Sequence, residues 1–157
     1  MALAAIAPVA PIARARHVHL RHAVATGLTV RANPRPLRVA LTDILLSAIG
    51  LAPGGAVLLS ARRHGGRVQI TVTDDGGGTD EATLAASLRP AEQAVALQGG
   101  TVEVRSRPGL GNEVTLRLPD FAQTSRPAAP RPVTVPPLAE PAPIAETTTG
   151  TAELRAD

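Results

Sequence analysis

The chain has no cysteine, lysine, tryptophan or tyrosine, and Phe121 is its one aromatic residue. Without cysteine there is no disulfide scaffold, no thiolate metal site and no cysteine nucleophile, and a reducing cytoplasm is the expected compartment. With a single aromatic ring there are no stacking platforms of the kind that single-stranded nucleic-acid binders use. A net charge of +3 carried entirely on arginine then gives no basis for a nucleic-acid partner. Long apolar runs are missing too: none reaches the roughly 18 residues that cross a bilayer, so no membrane partner is expected. Residues 1–14 are apolar but are interrupted by Pro8 and Pro11 and follow no basic segment. That pattern is a poor secretory signal and is expected to form a flexible leader.

What is present suits one modest core, since 44% of the 157 residues are hydrophobic. The last part of the chain does not contribute to it. Residues 121–157 bring Pro127, Pro130, Pro132, Pro136, Pro137, Pro141 and Pro143 among Ala, Thr and Glu, with no apolar periodicity. Such a segment buries too little to offset its ordering entropy and reads as a disordered linker-like tail. The folded domain is expected over 15–120.

Within that span the hydrophobic period switches between two and 3.6. His17–Val24 alternates, and Val30 and Arg31 form a short extended piece. Asn33 is placed to cap a helix whose first position is Pro34, and Leu37, Leu41, Ile44, Leu45, Ala48 and Ile49 make its apolar stripe as far as Gly50. Ala56–Arg63 and Arg67–Thr73 flank His64, Gly65 and Gly66 as an antiparallel hairpin. Asp80 caps a short helix through Leu88, and a second helix, started by Pro90, is stopped by Gly99 and Gly100. Thr101–Arg107 and Asn112–Leu118 form a closing hairpin. The order predicts a two-layer α/β sandwich: a mixed, largely antiparallel sheet of five or six strands with helices on one face.

Three stretches on this framework resemble the ATPase domain of histidine kinases and its relatives. Val30 to Arg38 with Leu41 to Pro53 is similar to the helix that carries the family's metal-binding asparagine. Val72-Thr73-Asp74-Asp75-Gly76-Gly77-Gly78 fits the Asp-x-Gly-x-Gly box that holds adenine, and Gly99 to Ser106 continuing through Pro108-Gly109-Leu110-Gly111 to Pro119 looks like the closing hairpin. The resemblance covers about residues 17 to 119 and implies a Bergerat-type ATP-binding fold with ATP and Mg²⁺ as ligands.

On that resemblance Asp74 would accept a hydrogen bond from the adenine amine, with Gly76 and Gly78 leaving room for the base and Gly109 and Gly111 supporting the pocket. The same Asp-Gly run also reads as a solvated turn. Ser47 stands where the family has its asparagine, and Asp43, one turn earlier on the same face, is a hard oxygen ligand suited to Mg²⁺ and a candidate catalytic group. An exposed Asp43 pairing with Arg38 or Arg35 is the open alternative. The phosphate grip is pared down: Thr79–Ser87 replaces a long lid, Ala85 and Ser87 stand where glycines are expected, and Pro90 and Glu92 disfavour a helix-end anion site. Arg89 is the nearby residue able to meet a phosphate.

His17, His19 and His22 read as edge-strand surface residues, with a metal pair of His17 and His19 as the alternative. The implied function is a cytoplasmic two-component signalling module with weakened or lost ATP turnover. Its expected partner is a response regulator or a histidine-bearing dimerisation protein. The alternative is a non-catalytic docking module: a pseudo-kinase, an anti-sigma-like domain or a degenerate histidine phosphotransferase.

Overall fold

The computed structural model describes residues 2–121. All but the first residue of the tail expected over 121–157 therefore lies outside the described residues. A 3₁₀ turn, Ala2–Ala5, leads into α1 (Ile6–Ala15) and β1 (His19–Val24). There follow α2 (Pro34–Leu51), β2 (Ala56–His64), β3 (Arg67–Asp74), α3 (Glu81–Ser87), α4 (Arg89–Ala96), β4 (Thr101–Arg107) and β5 (Gly111–Pro119).

Five strands make one sheet in the order β1-β2-β3-β5-β4, antiparallel except for the parallel pair β1 and β2. Alternation decides which side chains face the helices. Leu59, Val72, Val114 and Val104 lie in one cross-strand row, and Ala61, Ile70, Leu116 and Val102 in the next. These rows point to the helical layer, and the first three members of each are buried. The opposite face carries Ser60, Arg62, Gln69, Thr71, Glu113 and Arg117. Val30 joins the sheet only through a single bridge to Asp120, because the chain turns into α2 before a sixth strand can form.

The start of α2 follows from its local sequence. Asn33 is extended and its side chain accepts from the Arg35 N–H, while Pro34 supplies a helical φ where no N–H is needed. Its buried stripe is the expected one, with Ala40 added. Asp80 caps α3 by accepting from both the Thr83 N–H and its hydroxyl.

The amino-terminal segment departs from the expected flexible leader. Ala5, Val9 and Ala13, spaced one helical turn apart, are buried in the core, and α1 packs on α2 and β1. Small side chains at two of the three contact positions let the helix sit close, which offsets the interior Pro11. His17 also departs from expectation. It lies outside β1 in a left-handed turn at φ 56°, so it shares no strand face with His19.

Candidate nucleotide site

The Asp-Gly box begins where the alternation of β3 ends. Val68, Ile70 and Val72 face the helices, and one more step along the strand puts Asp74 on that same face, 4% exposed. On β5 the series Leu118, Leu116 and Val114 likewise ends in a buried polar residue, Asn112. The two meet. Asn112 Nδ2 donates to both carboxylate oxygens of Asp74 at 3.2 Å, and its backbone N–H donates to Oδ1 at 3.3 Å. The Gly76 N–H adds a fourth bond at 3.1 Å.

Asn112 is held from its other side as well. Its Oδ1 accepts from the Ser106 hydroxyl at 2.7 Å and from the Thr79 N–H at 3.3 Å. Every polar atom of this buried amide is used, which is what a low-dielectric site requires. Sequence reading missed Asn112. The available signal was a polar residue closing an apolar alternation on each of two strands destined to pair.

The glycines fit against the chain's own backbone. A side-chain carbon on Gly76 would come within 2.3 Å of the Leu51 carbonyl oxygen, one on Gly78 within 2.6 Å of the Arg107 carbonyl oxygen, and one on Gly111 within 1.9 Å of that of Asp74. Gly109, at φ 76°, donates its N–H to the Gly77 carbonyl at 2.8 Å. The box, the turn of the last hairpin and the end of α2 are thus pressed together at one end of the sheet. Neighbouring Asp75 ties this end to β2, its carboxylate accepting from the Ala56 N–H at 2.7 Å. The depression that includes Asp74, of about 550 Å³, is also bordered by Arg21, Ala23, Leu58, Thr73 and Leu110. Arg21, Ala23, Leu58 and Thr73 belong to the sheet face turned away from the helices.

Of the expected site residues, Asp74, Gly76, Gly78, Gly109 and Gly111 converge. Ser47 is half-buried one turn before Leu51, on the flank of α2 that meets Gly76. Asp43 does not join them. It is exposed and lines a depression with Ala4, Pro8, Arg38, Val39 and Thr42. Asp43 and Ser47, four residues apart on α2, thus differ in exposure, the first exposed and the second half-buried. Among the described residues no three His, Asp or Glu side chains are placed to hold a metal ion.

Arg89 is also apart. It borders a surface hollow together with Ala82, Ala85, Ala86, Glu92 and Gln93. Only Thr79 and Asp80 separate Gly78 from α3. Leu88 alone separates α3 from α4, and the Ser87 hydroxyl donates back to the Leu84 carbonyl. The connections on either side of α3 are therefore two residues and one residue long.

A profile of the family described as histidine kinase-, DNA gyrase B- and HSP90-like ATPase matches residues 32–122, more than half of the chain. The chain belongs to this ATPase family. TorS, a sensor protein of Escherichia coli, is 30% identical over 107 residues, covering 67% of this chain and 11% of its own length. The histidine protein kinase DivJ of Caulobacter vibrioides is 32% identical over 137 residues, covering 73% of this chain and 23% of the relative. The chain spans less than a third of the length of these sensor kinases.

Solved structures of the family agree on the fold. Full-length ShkA in complex with AMPPNP superposes with a TM-score of 0.68 at 24% identity, covering 76% of this chain and 29% of ShkA. The catalytic domain of the histidine kinase ThkA superposes at 0.67 with 14% identity, covering 75% and 90%. Among the described residues of this ATPase-family domain, no helix is long and apolar enough to cross a membrane.

Proposed function

We propose that the chain is a cytoplasmic ATPase-type module of two-component signalling that works beside a response regulator or a histidine-bearing dimerisation protein, with ATP turnover weakened or lost. The observation that carries this reading is the engagement of Asp74. Both of its carboxylate oxygens are taken by the Asn112 amide, and Gly76 beside it is backed by the Leu51 carbonyl. A base arriving there competes with internal hydrogen bonds for the same carboxylate, three of them on Oδ1 and one on Oδ2.

The anionic end adds support. Phosphoryl transfer depends on positioning and on neutralising charge around the moving group. Here Ser47 replaces an amide ligand, Asp43 is exposed and borders a depression with Ala4 and Pro8, and the connection from Gly78 to α3 is two residues long. The match to DivJ points the same way: it runs over 137 positions yet uses 73% of this 157-residue chain, so the relative has residues for which this chain has no counterpart.

The test is calorimetric titration of the full chain with ATP and Mg²⁺, followed by incubation with γ-labelled ATP and candidate histidine-bearing or response-regulator proteins. Weak or undetectable heat and no transferred label are expected. Micromolar binding together with label on a partner histidine would overturn the proposal. A stoichiometric complex with a partner but no transfer selects the docking-module reading, which the same closed site supports.

A further inference from the structure

The sheet has two edges, and they are treated differently. At β4 the backbone N–H of Ser106 is met by the Glu81 carboxylate at 3.3 Å, and Glu103 on the same strand is paired with Arg105 and Arg117. Charges of both signs and a side-chain cap blunt that edge. At β1 every charged group has one sign.

The bias extends beyond the strand. Asp43 is the first acidic residue of the chain, and the six arginines before it give residues 1–42 a charge of +6 against +3 for the whole chain, leaving −3 for the rest. Arg14, Arg16, His17, His19, Arg21 and His22 fall within nine residues, and all are exposed. The ion pairs found among the described residues, Arg63 with Asp120 and Glu103 with Arg105 and Arg117, involve none of them. Asp74 and Asp75 are the acidic side chains bordering the same depression as Arg21 and His22, and both are engaged, Asp74 by Asn112 and Gly76 and Asp75 by the Ala56 N–H.

The backbone of β1 is also open. The His19 N–H donates to the Gly55 carbonyl at 2.8 Å and the Ala25 N–H to the Ala61 carbonyl at 2.9 Å, so odd-numbered amides face β2. In a parallel ladder the intervening residues turn both N–H and C=O the other way. Leu20, His22 and Val24 therefore present a row at the sheet's end that has no backbone partner among the described residues. Beside it runs a groove of about 600 Å³ between α1 and β1, floored by Ile6, Ala10 and Leu20 and rimmed by Arg14, His19 and Arg21. Leu20 points to the helical side, whereas His19 and Arg21 point to the outer face, opposite Ala56 and Leu58.

We propose that this edge and groove dock an extended acidic segment of a partner protein, which adds as a strand beside β1. Its side chains alternate, apolar ones dropping onto Ile6, Ala10 and Leu20 and carboxylates meeting Arg21 and His19. The groove shares Arg21 and Ala56 with the depression beside Asp74 but includes no residue of the box itself, so the proposal stands whether or not ATP binds. A lipid surface or a duplex would satisfy the arginines but not the row of backbone groups, so a polypeptide is the ligand that uses both features.

The test uses the full chain and a dye-labelled peptide of alternating valine and glutamate, read by fluorescence anisotropy. An alternating valine and lysine peptide, phosphatidylglycerol vesicles and duplex DNA serve as comparisons. Saturable binding that weakens with added salt is expected for the acidic peptide. His22→Pro removes an outward N–H without touching the ladder to β2 and is expected to weaken binding at least ~tenfold, whereas His22→Ala keeps it. Arg14→Glu combined with Arg21→Glu is expected to cause a similar loss, about tenfold or more.

Should His22→Pro fail to fold, hydrogen exchange on the parent gives the same answer: saturating peptide is expected to slow the Leu20, His22 and Val24 amides. Unchanged exchange there, equal binding by His22→Pro and the parent, or equal binding of the lysine peptide would overturn the proposal. So would binding confined to vesicles or DNA. Binding only after Glu140, Glu146, Glu153 and Asp157 are neutralised would assign the edge to the chain's own acidic residues and overturn a partner in trans.

Discussion

Asn112 supplies three of the four hydrogen bonds that the Asp74 carboxylate accepts. Its amide is the link between the Asp74 carboxylate and the Ser106 and Thr79 groups, all in a part-buried or buried setting. Asn112→Ala removes that link and leaves a buried carboxylate short of donors, so a loss of about 1–3 kcal/mol in unfolding free energy is expected from urea titration. Two glycines in the same turn separate strain from contact. Gly109→Ala meets open space at φ 76° and is expected to cost about 1 kcal/mol for the left-handed backbone alone. Gly111→Ala combines φ 102° with a clash against the Asp74 carbonyl and is expected to cost at least ~2 kcal/mol more, or to prevent folding.

Among the elements, α3 carries a pH signature and α1 a packing one. Hydrogen bonds from the Thr83 N–H, then from the Thr83 hydroxyl, hold the Asp80 carboxyl below its ordinary 3.8. A carboxylate with a lowered folded pKa contributes stability above its unfolded pKa and loses it as the pH falls through the folded value. Asp80→Ala is therefore expected to melt at a lower temperature than the parent at pH 7, with the gap closing in acid below 3.8. The cap is exposed and screened, so the effect is small. Val9 is fully buried, although proline interrupts its helix and no charge pattern marks it as amphipathic. Val9→Ala is expected to cost about 2 kcal/mol in a denaturant titration, where a frayed segment would show no change.

For the whole molecule, nucleotide affinity on the proposed reading depends on several elements meeting at one end of the sheet. The end of α2, the box after β3 and the turn before β5 touch one another directly through Gly76, Gly78 and Gly111. Restoring one ligand does not reopen such a contact. Ser47→Asn is accordingly expected to leave the affinity for ATP and Mg²⁺ within about threefold of the parent by calorimetry. A gain of a hundredfold would show that position 47 by itself limits the affinity.

The sequence by itself determined the period of every strand, the caps at Asn33 and Asp80, the stripe of α2 and the order of the three motif blocks, because each depends on neighbours a few residues away. It left α1 illegible, since Pro8 and Pro11 mask a stripe of Ala5, Val9 and Ala13 whose apolar character is barely distinguishable from its surroundings. Tertiary structure alone decided that Asn112 closes on Asp74, 38 residues away, that Asp43 borders a depression with Ala4 and Pro8, and that β1 ends the sheet with no ion pair to its cations among the described residues. Those outcomes turn on which strands become neighbours and how the helices lean on them. Pairing across long loops is set by the shared core, and no local pattern of residues encodes it.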